Sequence, residues 1–156
     1  LRSQLFARAA AVAAITALGG LGLAGLAPSA SAAAPAKPYD FNGDGYQDLA
    51  VGSPYGKVGT KTSAGFVSVI YGSSKGFDTA KKKVFSQDSS GVPGGAEAYD
   101  HFGYSLASAD FDRDGYADLA IGSPDEDTGK GANAGSITIL WGTPSGLSTF
   151  ATADEE

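Results

Sequence analysis

The chain has 156 residues, 23 of them glycine and none cysteine or methionine, with 18% charged, 42% hydrophobic and a formal net charge of −6. That is the size of one domain, with enough apolar surface for a core, and it rules out an acidic disordered tail. Without cysteine there are no disulfides, thiolate zinc sites or cysteine nucleophiles, and a pI near 4.6 speaks against a nucleic-acid partner, which requires a basic footprint.

The first segment differs in composition from the rest. Arg2 and Arg8 are its only charges; an apolar run from Ala9 to Ala27 follows, then Pro28-Ser29-Ala30-Ser31-Ala32. This positive, apolar, small-residue layout is that of a secretory signal peptide over residues 1–32, cut after Ala32, and it implies a secreted, extracellular protein. The rival is an uncleaved membrane anchor, since the run is nearly long enough to span; Gly19, Gly20, Gly22 and Gly25 weaken it as a permanent helix. Cleavage leaves no membrane span in the mature chain and lowers its net charge from −6 to −8. Gly20-x-Gly22-x-x-Gly25 matches the dinucleotide fingerprint as a string, but it lies inside the apolar run and is a coincidence of composition.

Residues 33–39 read as a linker, and beyond them the sequence repeats. Asp40-Phe41-Asn42-Gly43-Asp44-Gly45-Tyr46-Gln47-Asp48-Leu49-Ala50-Val51-Gly52-Ser53-Pro54 returns as Asp110-Phe111-Asp112-Arg113-Asp114-Gly115-Tyr116-Ala117-Asp118-Leu119-Ala120-Ile121-Gly122-Ser123-Pro124, 70 positions later. The register holds without a gap to Gly76 and Gly146. Two units follow, 40–100 and 101–156, the second truncated. In chain order, residues 48–52, 66–71, 84–86, 102–109, 118–122 and 136–141 are short β-branched or aromatic runs bounded by glycine or Ser-Pro, and each predicts a strand. Four short strands per repeated unit make the blade of a β-propeller, an all-β fold. Ala33-Ala34-Pro35-Ala36-Lys37-Pro38 stands where the first unit's opening strand belongs.

Each unit opens with the main chemical signal. Asp40, Asn42, Asp44 and Asp48 occupy positions 1, 3, 5 and 9 of a loop, as do Asp110, Asp112, Asp114 and Asp118, with Gly45 and Gly115 at position 6. A hard cation such as Ca²⁺ takes six to eight oxygens, and alternate residues of a tight loop turn theirs inward; the position-7 carbonyls of Tyr46 and Tyr116 supply another ligand. An EF-hand is excluded, because its position 12 is a bidentate Glu followed by a helix, whereas Val51 and Ile121 stand there inside strand-like runs. An Asp/Gly-rich turn without metal is the bland alternative.

With these loops, Phe102-Gly103, Ile121-Gly122-Ser123-Pro124 and the stretch Gly135 to Gly142, the chain resembles the FG-GAP repeats of integrin α-chain N-terminal propellers and their bacterial relatives. The resemblance implies that the loop joins the first two strands of a blade and binds calcium, and that ligands are met on one face of the assembled propeller. Propellers of this kind resemble closed rings of about seven blades, so two blades imply an incomplete propeller and the N-terminal piece of a longer protein. The function implied is a non-catalytic, calcium-binding module for cell adhesion or for binding an extracellular protein or glycan ligand. The alternative is the accessory propeller of a secreted hydrolase, a phospholipase or glycosidase, whose catalytic part lies elsewhere.

Candidate catalytic residues are few. Gly72-Ser73-Ser74-Lys75-Gly76 fits the nucleophile-elbow string, but Ser74 corresponds to Pro144 in the second unit, so a turn is expected. His101, the single histidine, reads as a loop residue; Lys81-Lys82-Lys83 as a strand-edge guard; Asp125-Glu126-Asp127 as a solvated loop; and Tyr71 and Trp141 as packing residues. No enzyme activity is expected of this stretch.

Overall fold

Glycine-bounded runs of β-branched residues become strands because branched side chains pack well on a pleated surface and the flanking glycines permit turns. The computed structural model describes residues 34–149. Among them the strands are β1 (Leu49–Ser53), β2 (Phe66–Ile70), β3 (Lys83–Phe85), β4 (Ser105–Ala109), β5 (Asp118–Ser123) and β6 (Ser136–Leu140). They form two antiparallel three-stranded sheets, ordered β1-β2-β3 and β4-β5-β6. The signal-peptide reading of residues 1–32 and the last residues of the second unit, 150–156, lie outside the described residues.

Each sheet has three strands where four were expected, and the missing one differs. Ahead of β1, Pro35 and Pro38 have no amide to give a ladder. The nearby amides are spent on the second unit or locally: Ala36 N donates to Asp110 Oδ2 (3.2 Å), Tyr39 N to Ser108 Oγ (3.0 Å) and Asp40 N to the Lys37 carbonyl (3.1 Å). After β6, the described chain makes only an isolated bridge between Trp141 and Ser148. The strand expected from Phe102 begins instead at Ser105. Gly103 has φ +86°, and the amides of Gly103 and Tyr104 both point at the Gly122 carbonyl, so the chain cannot be extended there. One short 3-10 turn, Thr79–Lys81, is capped by Asp78, whose carboxylate accepts from Ala80 N at 3.1 Å.

Register decides the faces. Val67 pairs with Phe85 and Val69 with Lys83, which places Val67, Val69 and Phe85 on one side of the first sheet. In the second sheet, Leu106 opposite Ile121 and Leu119 opposite Leu140 define the buried side. Both sides contribute to one hydrophobic cluster with Phe41, Phe102, Ala117 and Leu147, so the two units share a core.

Phe102-Gly103 is the joint. Phe102 is fully buried, and Tyr99, His101 and Phe102 donate their amides to the carbonyls of Thr62, Ser63 and Ala64 on the first unit, at 3.0, 3.1 and 2.9 Å. The backbone approaches so closely that a Cβ on Gly52 would stand 2.1 Å from the Gly103 carbonyl oxygen. Phe102→Ala is therefore expected to cost about 3–5 kcal/mol in urea unfolding, the usual loss for emptying a buried aromatic site. Tyr104→Ala, which removes an exposed ring two residues on, should leave the midpoint within about 0.5 kcal/mol of the parent.

Candidate metal centre

The two carboxylate loops lead directly into β1 and β5 and are built on one plan. In the first, Asp44 N donates to Asn42 Oδ1 (3.1 Å), Gly45 N to Asp40 Oδ2 (3.0 Å) and Tyr46 N to Asp44 Oδ1 (2.9 Å). In the second, Asp114 N donates to Asp112 Oδ1 (3.1 Å), Gly115 N to Asp110 Oδ2 (3.2 Å) and Tyr116 N to Asp114 Oδ1 (2.9 Å). Gly45 and Gly115 have φ near +90°, which lets the chain reverse at position 6. The loops touch: the Tyr116 ring lies against Gly43, and Ala117 N donates to the Asp40 carbonyl at 3.1 Å.

Position 9 does more than its spacing foretold. The two oxygens of Asp48 accept from Phe41 N and Gly72 N, both at 2.8 Å. Asp118 repeats this with Phe111 N at 2.7 Å and Gly142 N at 2.8 Å. Each buried carboxylate thus ties the start of its loop to the glycine two residues past the neighbouring strand, β2 in the first unit and β6 in the second. Because the Gly72 and Gly142 amides come from 24 residues away, no local pattern could reveal this bond.

The donors suit a hard divalent cation. Oxygens of Asp110, Asp112 and Asp118 lie within 4.8 Å of one another. Ligands at about 2.3–2.6 Å from one ion stand at most about 5 Å apart, so these three can share one. In the first loop Asp40 Oδ1 is buried without a hydrogen-bond partner, an oxygen that a cation would satisfy. Asn42 takes the place of Asp112 there and donates to Asp44 Oδ2 at 3.1 Å, leaving three carboxylates against four in the second loop. Tyr46 is exposed and Tyr116 half-buried, and each is held at position 7 by the hydrogen bond its amide donates to the position-5 carboxylate.

Burial pushes the Asp48 carboxyl above the usual carboxylate range; the Gly72 and Phe41 amides oppose the rise, and the Asp44 and Asp40 charges add to it. Asp118 rises through burial in the same way, with the Asp112 and Asp114 charges adding, and Asp114 rises through burial with Asp112 and Asp110 beside it. Packing several carboxylates together costs free energy that a cation would remove.

The other sequence candidates fall elsewhere. Ser74 lies in a turn closed by Gly76 N on the Ser73 carbonyl (2.9 Å), and the second unit repeats it with Gly146 N on Thr143 (2.8 Å). His101 Nδ1 pairs with Asp125 Oδ2 at 2.7 Å and its ring meets Tyr55 edge-on. The solvated reading of Asp125-Glu126-Asp127 holds for exposed Asp127 and half-exposed Asp125 and is corrected for Glu126. Glu126 is buried against Gln87 Nε2 because this loop folds back on the segment joining the two units, while Asp127 Oδ1 accepts from Asn133 N at 2.7 Å within the loop itself. Tyr71 packs against the core and accepts from Leu147 N at 2.8 Å.

A family model for the FG-GAP repeat matches residues 34–70 and 102–140, one stretch in each unit. The chain is an FG-GAP repeat protein. It is 34% identical over 107 residues to phosphatidylinositol-glycan-specific phospholipase D of Rattus norvegicus, a stretch that covers 69% of this chain and 13% of that protein. It is 34% identical over 110 residues to integrin alpha-PS5 of Drosophila melanogaster and 32% over 114 residues to integrin alpha-5 of Xenopus laevis, covering 69% of this chain and 9% and 10% of theirs. The chain therefore spans a small fraction of each relative's length. Among the described residues no helix is long and apolar enough to cross a membrane.

Two outcomes follow from the loop geometry. Asp48→Ala should lower stability by about 1–3 kcal/mol for each amide left unpaired, read by urea unfolding in chelator, where any cation effect is removed. The pH response has a definite sign. A carboxyl whose folded pKa is raised contributes stability below its unfolded value near 3.8 and loses it as pH rises through the folded value. In chelator the unfolding midpoint should climb as pH falls from 7 toward about 4; saturating calcium should reverse that slope, since protons then compete with the ion.

Proposed function

We propose that the chain is a secreted, calcium-stabilised FG-GAP propeller module that binds an extracellular protein or glycan ligand, as in cell adhesion, and performs no catalysis itself. The observation that carries the calcium reading is the convergence of Asp110, Asp112 and Asp118 oxygens within 4.8 Å at the foot of β5. The orphaned Asp40 oxygen supports a second site in the first loop. Secretion is supported by the charged, apolar and small-residue layout of residues 1–32, whose removal after Ala32 gives a mature chain of a 33–39 linker and two blades, 40–100 and 101–156. The non-catalytic reading is supported by Ser74 in a turn common to both units and by His101 held by Asp125.

A second reading has its own support. Likeness to a phosphatidylinositol-glycan-specific phospholipase D favours an accessory role beside a hydrolase, with the catalytic residues outside this stretch. Hydrolysis retained by a polypeptide in which both loops are disabled would favour that reading over adhesion.

Calorimetric titration of the chelator-treated chain with calcium tests the proposal. Two sites should fill, stabilising the fold by about 2.7 kcal/mol per site at a hundredfold excess over the dissociation constant. Affinity rises with ligand charge, so the four-carboxylate second loop should fill first. Asp112→Asn, which gives it the first loop's donor set, should bring the two affinities together. No heat and no shift in melting temperature would overturn the calcium reading.

A further inference from the structure

Position 3 of the two loops differs in a way that chemistry can erase. Asn42 stands in the first loop where Asp112 stands in the second, an amide nitrogen in place of an oxygen. Asn42 and Asn133 are the only asparagines in the 156 residues; Gly43 follows the first and Ala134 the second. The backbone nitrogen after an asparagine can attack the side-chain amide carbon, and glycine obstructs that approach least because it has no Cβ.

The fold keeps glycine at this place. Position 4 is left-handed in both copies, with φ +70° at Gly43 and +64° at Arg113. A Cβ on Gly43 would stand 2.6 Å from Tyr116 Cε1, so the ring that joins the two loops excludes a side chain. Gly43 is exposed and Asn42 half-buried, so solvent reaches the pair. Gly43 N makes no hydrogen bond to any described residue. The glycines after Asp44 and Asp114 are held instead, Gly45 N on Asp40 Oδ2 at 3.0 Å and Gly115 N on Asp110 Oδ2 at 3.2 Å. Asp44 grips both ends of the Asn42 amide: its N–H donates to Oδ1 and its Oδ2 accepts from Nδ2, each at 3.1 Å. A donor on Oδ1 draws electrons from the amide carbon and stabilises the oxygen charge that an attack develops.

We propose that Asn42-Gly43 is a self-modification site, which deamidates and so places a carboxylate at residue 42 of the first loop. Gly43 N gives up its proton and bonds to Asn42 Cγ. The Cγ–Nδ2 bond breaks, and the nitrogen takes up a proton and leaves as ammonia. Water then opens the cyclic imide. Cleavage of the new N–Cγ bond gives aspartate; cleavage at the Asn42 backbone carbonyl gives isoaspartate, with an extra methylene in the main chain. Nothing is oxidised or reduced, and water is the one co-reactant. Aspartate brings the first loop to the carboxylate set of the second, whereas isoaspartate shifts the spacing of the loop's oxygens. The consequence for cation binding rests on the proposed calcium reading; the chemistry itself needs no ion.

The test incubates the full chain with chelator in mildly alkaline heavy-oxygen water and maps its peptides by mass spectrometry. Label should enter at residue 42, with isoaspartate detected there by isoaspartyl methyltransferase, roughly tenfold faster than at Asn133, whose approach the Ala134 Cβ obstructs. Asn42→Gln, which needs a larger ring to close, should abolish uptake at that residue. The proposal is overturned if Asn133 converts first. It is also overturned if a peptide of residues 38–48 converts while the folded chain stays intact, because the loop would then be shielding the amide. Asn42→Asp, the aspartate product, should bind calcium more tightly than the parent by calorimetry. Label at residue 42 without that gain would uphold the modification and count against the calcium reading of this loop.

Discussion

Each unit is organised around one buried carboxylate. An ionised carboxylate is an acceptor only, with two oxygens that can face opposite ways. Asp48 uses one on the Phe41 amide and the other on the Gly72 amide, and Asp118 does the same with Phe111 and Gly142. The start of the loop, the head of the strand that follows it and the glycine just past the neighbouring strand are thereby fixed relative to one another. An amide side chain in that place has one acceptor oxygen and would leave one of the two backbone donors without a partner. The arrangement carries a cost, since burial disfavours the charge it requires. The surrounding carboxylates deepen that cost, and the loop geometry that creates the repulsion also leaves oxygens free to be bridged.

The joint between the units is steric as much as hydrophobic. Phe102 contributes the buried area, but it reaches its place only because Gly52 and Gly65 have no side chain where its backbone passes. Gly103 then turns the chain so that two successive amides address the Gly122 carbonyl before β4 begins. Three elements therefore meet at the Phe-Gly pair: the turn before β2, the end of β1 and the entry to the second sheet. The acidic loops at the feet of the sheets reinforce the same contact, with Ala117 N on the Asp40 carbonyl and Thr143 N on the Phe41 carbonyl at 3.2 Å.

Much of this was legible in the residues. Strand positions followed from glycine-bounded β-branched runs, and the acidic loops from alternate acids around a glycine, because both depend on neighbours in the chain. The double duty of Asp48 and Asp118 was not legible, since the second partner of each lies 24 residues away and both partners are backbone amides that any residue carries. Glu126 was misjudged for a related reason. Three consecutive acids in a loop look solvated, yet Glu126 is buried on Gln87 of the other unit, with its carboxyl pushed up by burial and by the Asp100, Glu97 and Asp127 charges. The missing opening strand of the first unit was visible in Pro35 and Pro38, whereas the late start of β4 was hidden because Phe102-Gly103-Tyr104 has strand-like composition and a turn's backbone.

The repeat also serves as an internal control that separates what a unit does alone from what its neighbour imposes. The carboxylate staple, the turn at 73–76 and 143–146, and the closure of Gly65 on Gly56 and Gly135 on Glu126 recur in both copies, so they belong to the unit. Burial does not recur. Leu49 and Val51 are exposed while their equivalents Leu119 and Ile121 are fully buried, and Val67 is buried while Ile137 is exposed. The apolar character is conserved between the two copies at all three positions, although only one copy of each pair uses it within the described residues. Those side chains are therefore not explained by the secondary structure of their own strands, which forms equally well in either setting. They are explained by a surface built to meet another sheet, with one side of each unit shaped to insert and the other to receive.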